Sequence, residues 1–221
     1  MVDVGGVGII NKILDIIYPP KCGICGKIGC KDICIKCEKE LKNEAIFGKD
    51  SYIGNYFDTH FYLFKYEGQI RNLLIQYKFN EKAYLYKSFS KFLKKYEKKL
   101  FKNEVYDIIV AVPISKNRLK TRGYNQSELL AREIAKNFGL KSEKNIIKKV
   151  KNNIAQSTLS KEEREQNVKN VYEAINKDII QNKKILLIDD IFTTGATVDE
   201  CSKILKKNGA EKIDIFTIAK D

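Results

Sequence analysis

Residues 185–197, ILLIDDIFTTGAT, carry the groups whose chemistry is easiest to name. Asp189 and Asp190 are adjacent carboxylates, able to accept hydrogen bonds from a diol or to help hold a hydrated magnesium ion. Thr193, Thr194, Gly195, Ala196 and Thr197 follow, offering successive backbone N–H groups and hydroxyls where a helix, Thr197–Lys207, is predicted to start. Helix N-termini attract anions through their unpaired amides and the helix dipole. Hydroxyls on the acids and a phosphate on the turn describe a sugar phosphate. The same residues also fit a plain strand–turn–helix with a capping Thr or Asp and solvated acids.

Two other clusters stand out. In CGICGKIGCKDICIKC the pairs Cys22-x-x-Cys25 and Cys34-x-x-Cys37 form two knuckles, the spacing of a structural zinc site in which four thiolates close a tetrahedron. A segment with so few apolar residues depends on its ion to fold. Cys30 is surplus, either replacing one of the four or lying nearby. Downstream, PISKNRLKTRGYNQ opens a basic loop with Lys116, Arg118, Lys120 and Arg122, suited to a pyrophosphate. Asn125 or Ser127 is placed to cap the following helix, Glu128–Phe138, which Gly139 ends.

Several elements must position these groups. Ile185–Ile188 and Val105–Val112 read as strands buried on both faces of a parallel sheet, with ligands expected at their carboxyl ends. His60–Tyr66 reads as a strand, with His60 structural, Gly68–Gln76 as a short helix, and Lys212–Ala219 as a strand with Cys201 in the core of the preceding helix. Residues 9–17 read as a short apolar helix ended by Pro19-Pro20. A lysine-rich helical stretch, 78–102, interleaves Lys94, Lys95, Lys98 and Lys99 with aromatics. Such a mixture suits a single-strand groove, although spacing alone favours buried rings and solvated lysines.

The 221 residues leave room for one α/β domain and a small appendage, and 43% hydrophobic content supplies a core. Forty-one Lys and Arg against 28 Asp and Glu give a net charge of +13, which favours polyanionic partners. No run of about twenty apolar residues is present, and the first residues lack a basic start and a small-residue cleavage site. A cytoplasmic protein without a membrane span is the expectation, and in a reducing compartment clustered cysteines point to metal rather than disulfides.

The thirteen residues 185–197 resemble the 5-phosphoribosyl 1-pyrophosphate (PRPP) loop of type I phosphoribosyltransferases. That resemblance implies an acid pair on the ribose hydroxyls, a TTGAT turn on the 5′-phosphate, and magnesium accompanying PRPP. With PISKNRLKTRGYNQ, the four-cysteine knuckle and ILDIIYPPKCGIC added, the chain resembles the ComF family of late-competence proteins from about residue 9 to 221. The implied fold is α/β, a type I phosphoribosyltransferase-like parallel sheet flanked by helices. Its expected layout is a tail and short helix over 1–20, a zinc finger over 21–45, and the main domain over 55–221. A loop carrying Gln156, Leu159, Arg164 and Asn167 would close over PRPP. The implied function is handling of single-stranded DNA during natural transformation, with the uptake helicase and recombination mediator as partners. The alternative is an active transferase moving ribose 5-phosphate to a nitrogen acceptor.

Overall fold

Short apolar runs rich in β-branched residues make the central strands over 108–111, 184–192 and 212–220, because each can be buried on both faces and none is long enough for a buried helix. The computed structural model describes residues 19–79, 82–102, 104–151 and 170–221. The helix predicted over 9–17 and the residues Gln156, Leu159, Arg164 and Asn167 lie outside them.

Six strands form the main sheet: β1 (Gly48–Ser51), β2 (Thr59–Lys65), β3 (Ile108–Ala111), β4 (Lys141–Glu143), β7 (Lys184–Phe192) and β8 (Lys212–Lys220). Their order is β1-β2-β8-β7-β3-β4, parallel except for the β1–β2 pair. Two shorter strands, β5 (Ile147–Lys149) and β6 (Tyr172–Ala174), pair antiparallel as a separate ribbon. The chain leaves β3 for β4 on one side and returns to β7 on the other. The order therefore reverses between β3 and β7, which is where open α/β sheets leave a crevice.

The predicted strand Ile185–Ile188 is the part of β7 that faces β3, with Ile188 opposite Ala111. The strand does not end at the acids. It runs on to Phe192 because β8 continues to ladder with it, Phe192 opposite Lys220. Asp189 and Asp190 thus lie on a segment held on one side only.

Among the described residues there are six α-helices: α1 (Ile35–Glu44), α2 (Gly68–Phe79), α3 (Leu85–Phe101), α4 (Lys116–Arg122), α5 (Gln126–Phe138) and α6 (Ala196–Lys207). The stretch 78–102, expected as one helical run, divides between α2 and α3. The segment expected as a basic loop folds as α4, capped by Ser115, whose hydroxyl accepts from the Arg118 N–H, and closed by Gly123. Asn125 caps α5 by accepting from the Ser127 N–H.

Alternation along the strands divides the core. Leu186 and Ile188 face a cluster with Phe89, Phe92 and Leu130, whereas Ile185 and Leu187 pack with Cys201 and Leu205 of α6. The knuckle's Cys22, Ile33, Cys34, Cys37 and Leu41 belong to the first cluster. The knuckle docks on α3: Ser88 Oγ donates to the Asp32 carbonyl at 2.5 Å and Lys91 Nζ to the Lys31 carbonyl at 2.8 Å. His60 is fully buried, its Nε2 2.8 Å from Thr217 Oγ1, and burial lowers it to about 3, so it stays neutral.

Candidate functional site

At the carboxyl ends of β3 and β7 a cleft of ≈ 360 Å³ opens at the predicted crevice. Asp189, Asp190, Thr193 and Thr197 line it from β7 and the following turn. The turn folds around a smaller niche lined by Asp189 and by Ile191 through Val198. Gly195, at φ 79°, is the N-cap of α6, and Thr194 Oγ1 accepts from the Ala196 N–H at 3.4 Å.

The acid pair is fixed from two directions. Asp189 Oδ1 accepts from Ser127 Oγ at 2.8 Å and from the Asp190 N–H at 2.9 Å. Asp190 Oδ2 accepts from Gln126 Nε2 at 3.2 Å and pairs with Lys78 Nζ at 3.1 Å. The start of α5 and the end of α2 therefore meet on two adjacent carboxylates. Tyr77 ties those helices by donating to the Gln126 carbonyl at 2.6 Å.

Burial, with the neighbouring Asp190 charge, pushes Asp189 up to about 7 against the pull of Ser127 and Lys78. The unfolded chain holds the same carboxyl near its ordinary 3.8. The folded state therefore binds the proton more tightly: this contribution to stability is full below about pH 4 and is lost as pH rises through about 7. Asp189→Asn should remove the cost of ionisation, which is on the order of 1–2 kcal/mol because water still reaches the group. The expected result is a Tm at pH 8 higher by about 2–6 °C than the parent chain, with no difference near pH 4. A scanning calorimetry series over that range checks it.

The cations divide unevenly. Arg118 lines the cleft, joined by Lys149 of β5. Burial first, then the Arg118 charge, bring Lys149 down to about 8, the mark of two cations facing one space. Lys116 is exposed and does not line the cleft, while Arg122 stands with its guanidinium 5.1 Å from the centre of the exposed Phe79 ring. Sequence reasoning had not assigned Lys78 or Lys149 to this site. Neither carries a local signal, since each reaches the acids or Arg118 only through the folded sheet.

The four sulfurs of Cys22, Cys25, Cys34 and Cys37 lie within 4.8 Å of one another, with Cys25 and Cys34 Sγ 3.7 Å apart. A tetrahedral zinc with Zn–S of about 2.3 Å sets its sulfurs about 3.8 Å apart, so the cluster fits that ion. Cys30 stands outside the cluster and donates to the Lys27 carbonyl at 3.2 Å. Burial raises Cys22, and hydrogen bonds from the Cys25, Cys34 and Ile24 backbone outweigh it, leaving the thiol at about 7. Burial and the other three sulfurs hold Cys37 well above the thiol range. Without a cation, the second and later protons leave only at high cost.

Along α3, Phe89 and Phe92 are buried, as amphipathic spacing favoured. Lys94 pairs with Glu97 at 2.9 Å, Lys95 with Glu38, and Lys99 stands 4.1 Å over the Phe47 ring. Lys98 is exposed, without an ion pair among the described residues. No described helix is long and apolar enough to cross a membrane.

A family model described as a phosphoribosyl transferase domain matches residues 124–221. Competence protein ComFC of Streptococcus pneumoniae is 31% identical over 170 residues, covering 73% of this chain and 68% of that one. The chain belongs to the ComF family. A second ComF relative, competence protein F of Haemophilus influenzae, is 29% identical over 205 residues, 91% of this chain and 85% of its own. DNA utilization protein YhgH of Salmonella typhi is 32% identical over 114 residues, and the match spans only 49% of that protein's length. The parallel sheet with its switch between β3 and β7, together with the family model, makes the main body of this ComF protein a phosphoribosyltransferase-like α/β fold.

Proposed function

We propose that the chain binds PRPP in the cleft and serves as a competence protein that handles single-stranded DNA. One observation carries the PRPP reading: an acid pair, an anion-binding turn and the Arg118–Lys149 cation pair share one crevice. In this reading Asp189 and Asp190 receive the ribose hydroxyls, and the Thr193–Thr197 amides and hydroxyls take the 5′-phosphate. Arg118 and Lys149 take the pyrophosphate, with Lys116 and Arg122 near its approach. Magnesium would supply further charge neutralisation on the phosphates. Calorimetric titration with PRPP and magnesium tests the reading, and the absence of heat at millimolar ligand would sink it.

The DNA reading rests on the names of the relatives and on the cleft's mouth. α4 buries none of its residues, carries Lys116, Arg118, Lys120 and Arg122 without an acid, and stands beside Phe79, which is 68% exposed. A ring this exposed beside a row of cations suits a base and its phosphates. Phe79→Ala with Arg122→Gln should weaken single-strand binding about tenfold and flatten its salt slope by about one. Alanine at Lys94, Lys95, Lys98 and Lys99 should change the slope less, since three of these have partners within the chain. Anisotropy of a labelled strand across a salt series checks both. The reverse ranking would return the DNA surface to α3, and a preference for duplex would point instead to a PRPP-sensing regulator. The uptake helicase and recombination mediator remain the proposed protein partners.

A second reading, transfer to a nitrogen acceptor, gains support from the rest of the cleft. Tyr66, Arg71 and Asp221 also line it and are not assigned to PRPP. Acceptor-dependent release of pyrophosphate is the measurement that would favour it.

A further inference from the structure

A second hollow, of ≈ 310 Å³, lies at the amino ends of β3 and β4, whereas the acid pair lies at the carboxyl ends of the sheet. Its size falls within the range of ligand pockets, about 300–1,000 Å³. Phe101, Val105, Tyr106, Phe138 and Leu140 give it an apolar floor. Val105 is 73% exposed and belongs to neither core cluster.

Lys94, Lys98 and Lys102 form the rim. Lys94 and Lys98 lie on one face of α3, about 6 Å apart along its axis, and Lys102 follows the helix end at φ 53°. Two carboxylates also line the hollow, and both are engaged: Glu97 with Lys94 at 2.9 Å, and Glu104 with Lys212 and, at 3.4 Å, Lys49. Among the described residues neither Lys98 nor Lys102 has an ion pair. The open charge on the rim is therefore positive.

We propose that this hollow docks an acidic, extended segment of a partner protein, seating an apolar side chain on Val105, Phe138 and Leu140. Alternate residues of an extended peptide stand about 6.6 Å apart and point the same way, so alternating carboxylates suit a rim lined by Lys98 and Lys102. A nucleic-acid strand offers similar charge spacing but needs open ring faces for its bases. Phe101 and Tyr106 are only 5% and 6% exposed, and the Lys94 ammonium already stands 5.0 Å over Phe138. The floor suits an inserted side chain better than a stacked base.

Fluorescence anisotropy of a labelled Asp-Ser-Asp-Ser-Asp-Leu-Phe peptide on the full chain tests the proposal. Saturable micromolar binding is expected, about tenfold weaker in Lys98→Glu and in Val105→Asp. Both positions are exposed, so the variants should keep the parent Tm. Replacing Leu-Phe by Ser-Ser in the peptide should abolish binding. Three results would overturn the proposal: no binding, equal binding of the Ser-Ser peptide, or displacement by oligo(dT) with the same sensitivity to the variants. The last would make the hollow a nucleic-acid site.

Discussion

Cys37→Ser, or removal of the ion by a chelator, should lower the Tm by roughly 10 °C or more and leave the chain without bound zinc. The knuckle has little else to hold it. Its buried apolar residues besides cysteine are Ile33 and Leu41, and burying each contributes only about 1.5–3 kcal/mol. Four sulfurs within 4.8 Å, with the Cys37 thiol raised by burial, are costly without a dication and favourable with one. The loss would not stay local. The knuckle docks on α3 at Ser88 and Lys91 and shares one apolar cluster with Leu85, Phe89 and Phe92, so its unravelling loosens the packing of that helix. Metal analysis alongside calorimetry decides the matter: about one zinc per chain in the parent, and none in the variant. Retained metal with an unchanged Tm would mean that Cys30 had left the Lys27 carbonyl to complete the site.

The second large effect belongs to the Thr193–Thr197 turn, proposed to hold the phosphate. Gly195→Ala is expected to destabilise the fold by about 2–4 kcal/mol and to weaken PRPP binding by a factor on the order of one hundred. Two penalties add. At φ 79° any Cβ meets the following carbonyl, and an added Cβ here would also lie 2.6 Å from Phe192 Cζ. Phe192 cannot give way easily: His60 stacks on it at 4.1 Å, with Tyr52 and Phe57 rings at 5.6 and 6.2 Å. Relief must then come from the turn itself, whose amides would swing off the phosphate position. Gly139→Ala separates the two terms, since Gly139 has φ 70° and nothing within 4 Å of its Cβ position. It should cost only the backbone term, about 1 kcal/mol, and leave PRPP binding unchanged. Equal losses in the two variants would refute the clash.

The contrast between these two sites shows what a sequence exposes and what it hides. The cysteine knuckle and the DD–TTGAT turn were legible because each is contiguous, with chemistry and geometry written within a few residues. The helix over Lys116–Arg122 was not legible, because a segment that buries none of its side chains has no apolar period to read. Lys78 and Lys149 were hidden for a different reason. Their roles depend on which strands neighbour one another, and Lys78 reaches Asp190 only because α2 packs against α5 over the end of β7. Ser127 was read as a possible cap, yet its hydroxyl goes to Asp189 while Asn125 takes the cap. Local rules do not choose between those two uses of one side chain.

The position of β3 between β7 and β4 also bears on where this fold can be divided. The family model begins at residue 124, after β2 and β3 in the chain, yet these strands flank β7–β8 in the sheet. A fragment starting there would keep the acid pair and the turn but lose Lys78, Arg118 and both strands against which β7 and β8 pack. It would expose two unpaired edges of buried strands, and such edges recruit other chains. The half that the family model marks is thus an incomplete half: its sheet is closed only when the strands before residue 124 pair with it on both sides.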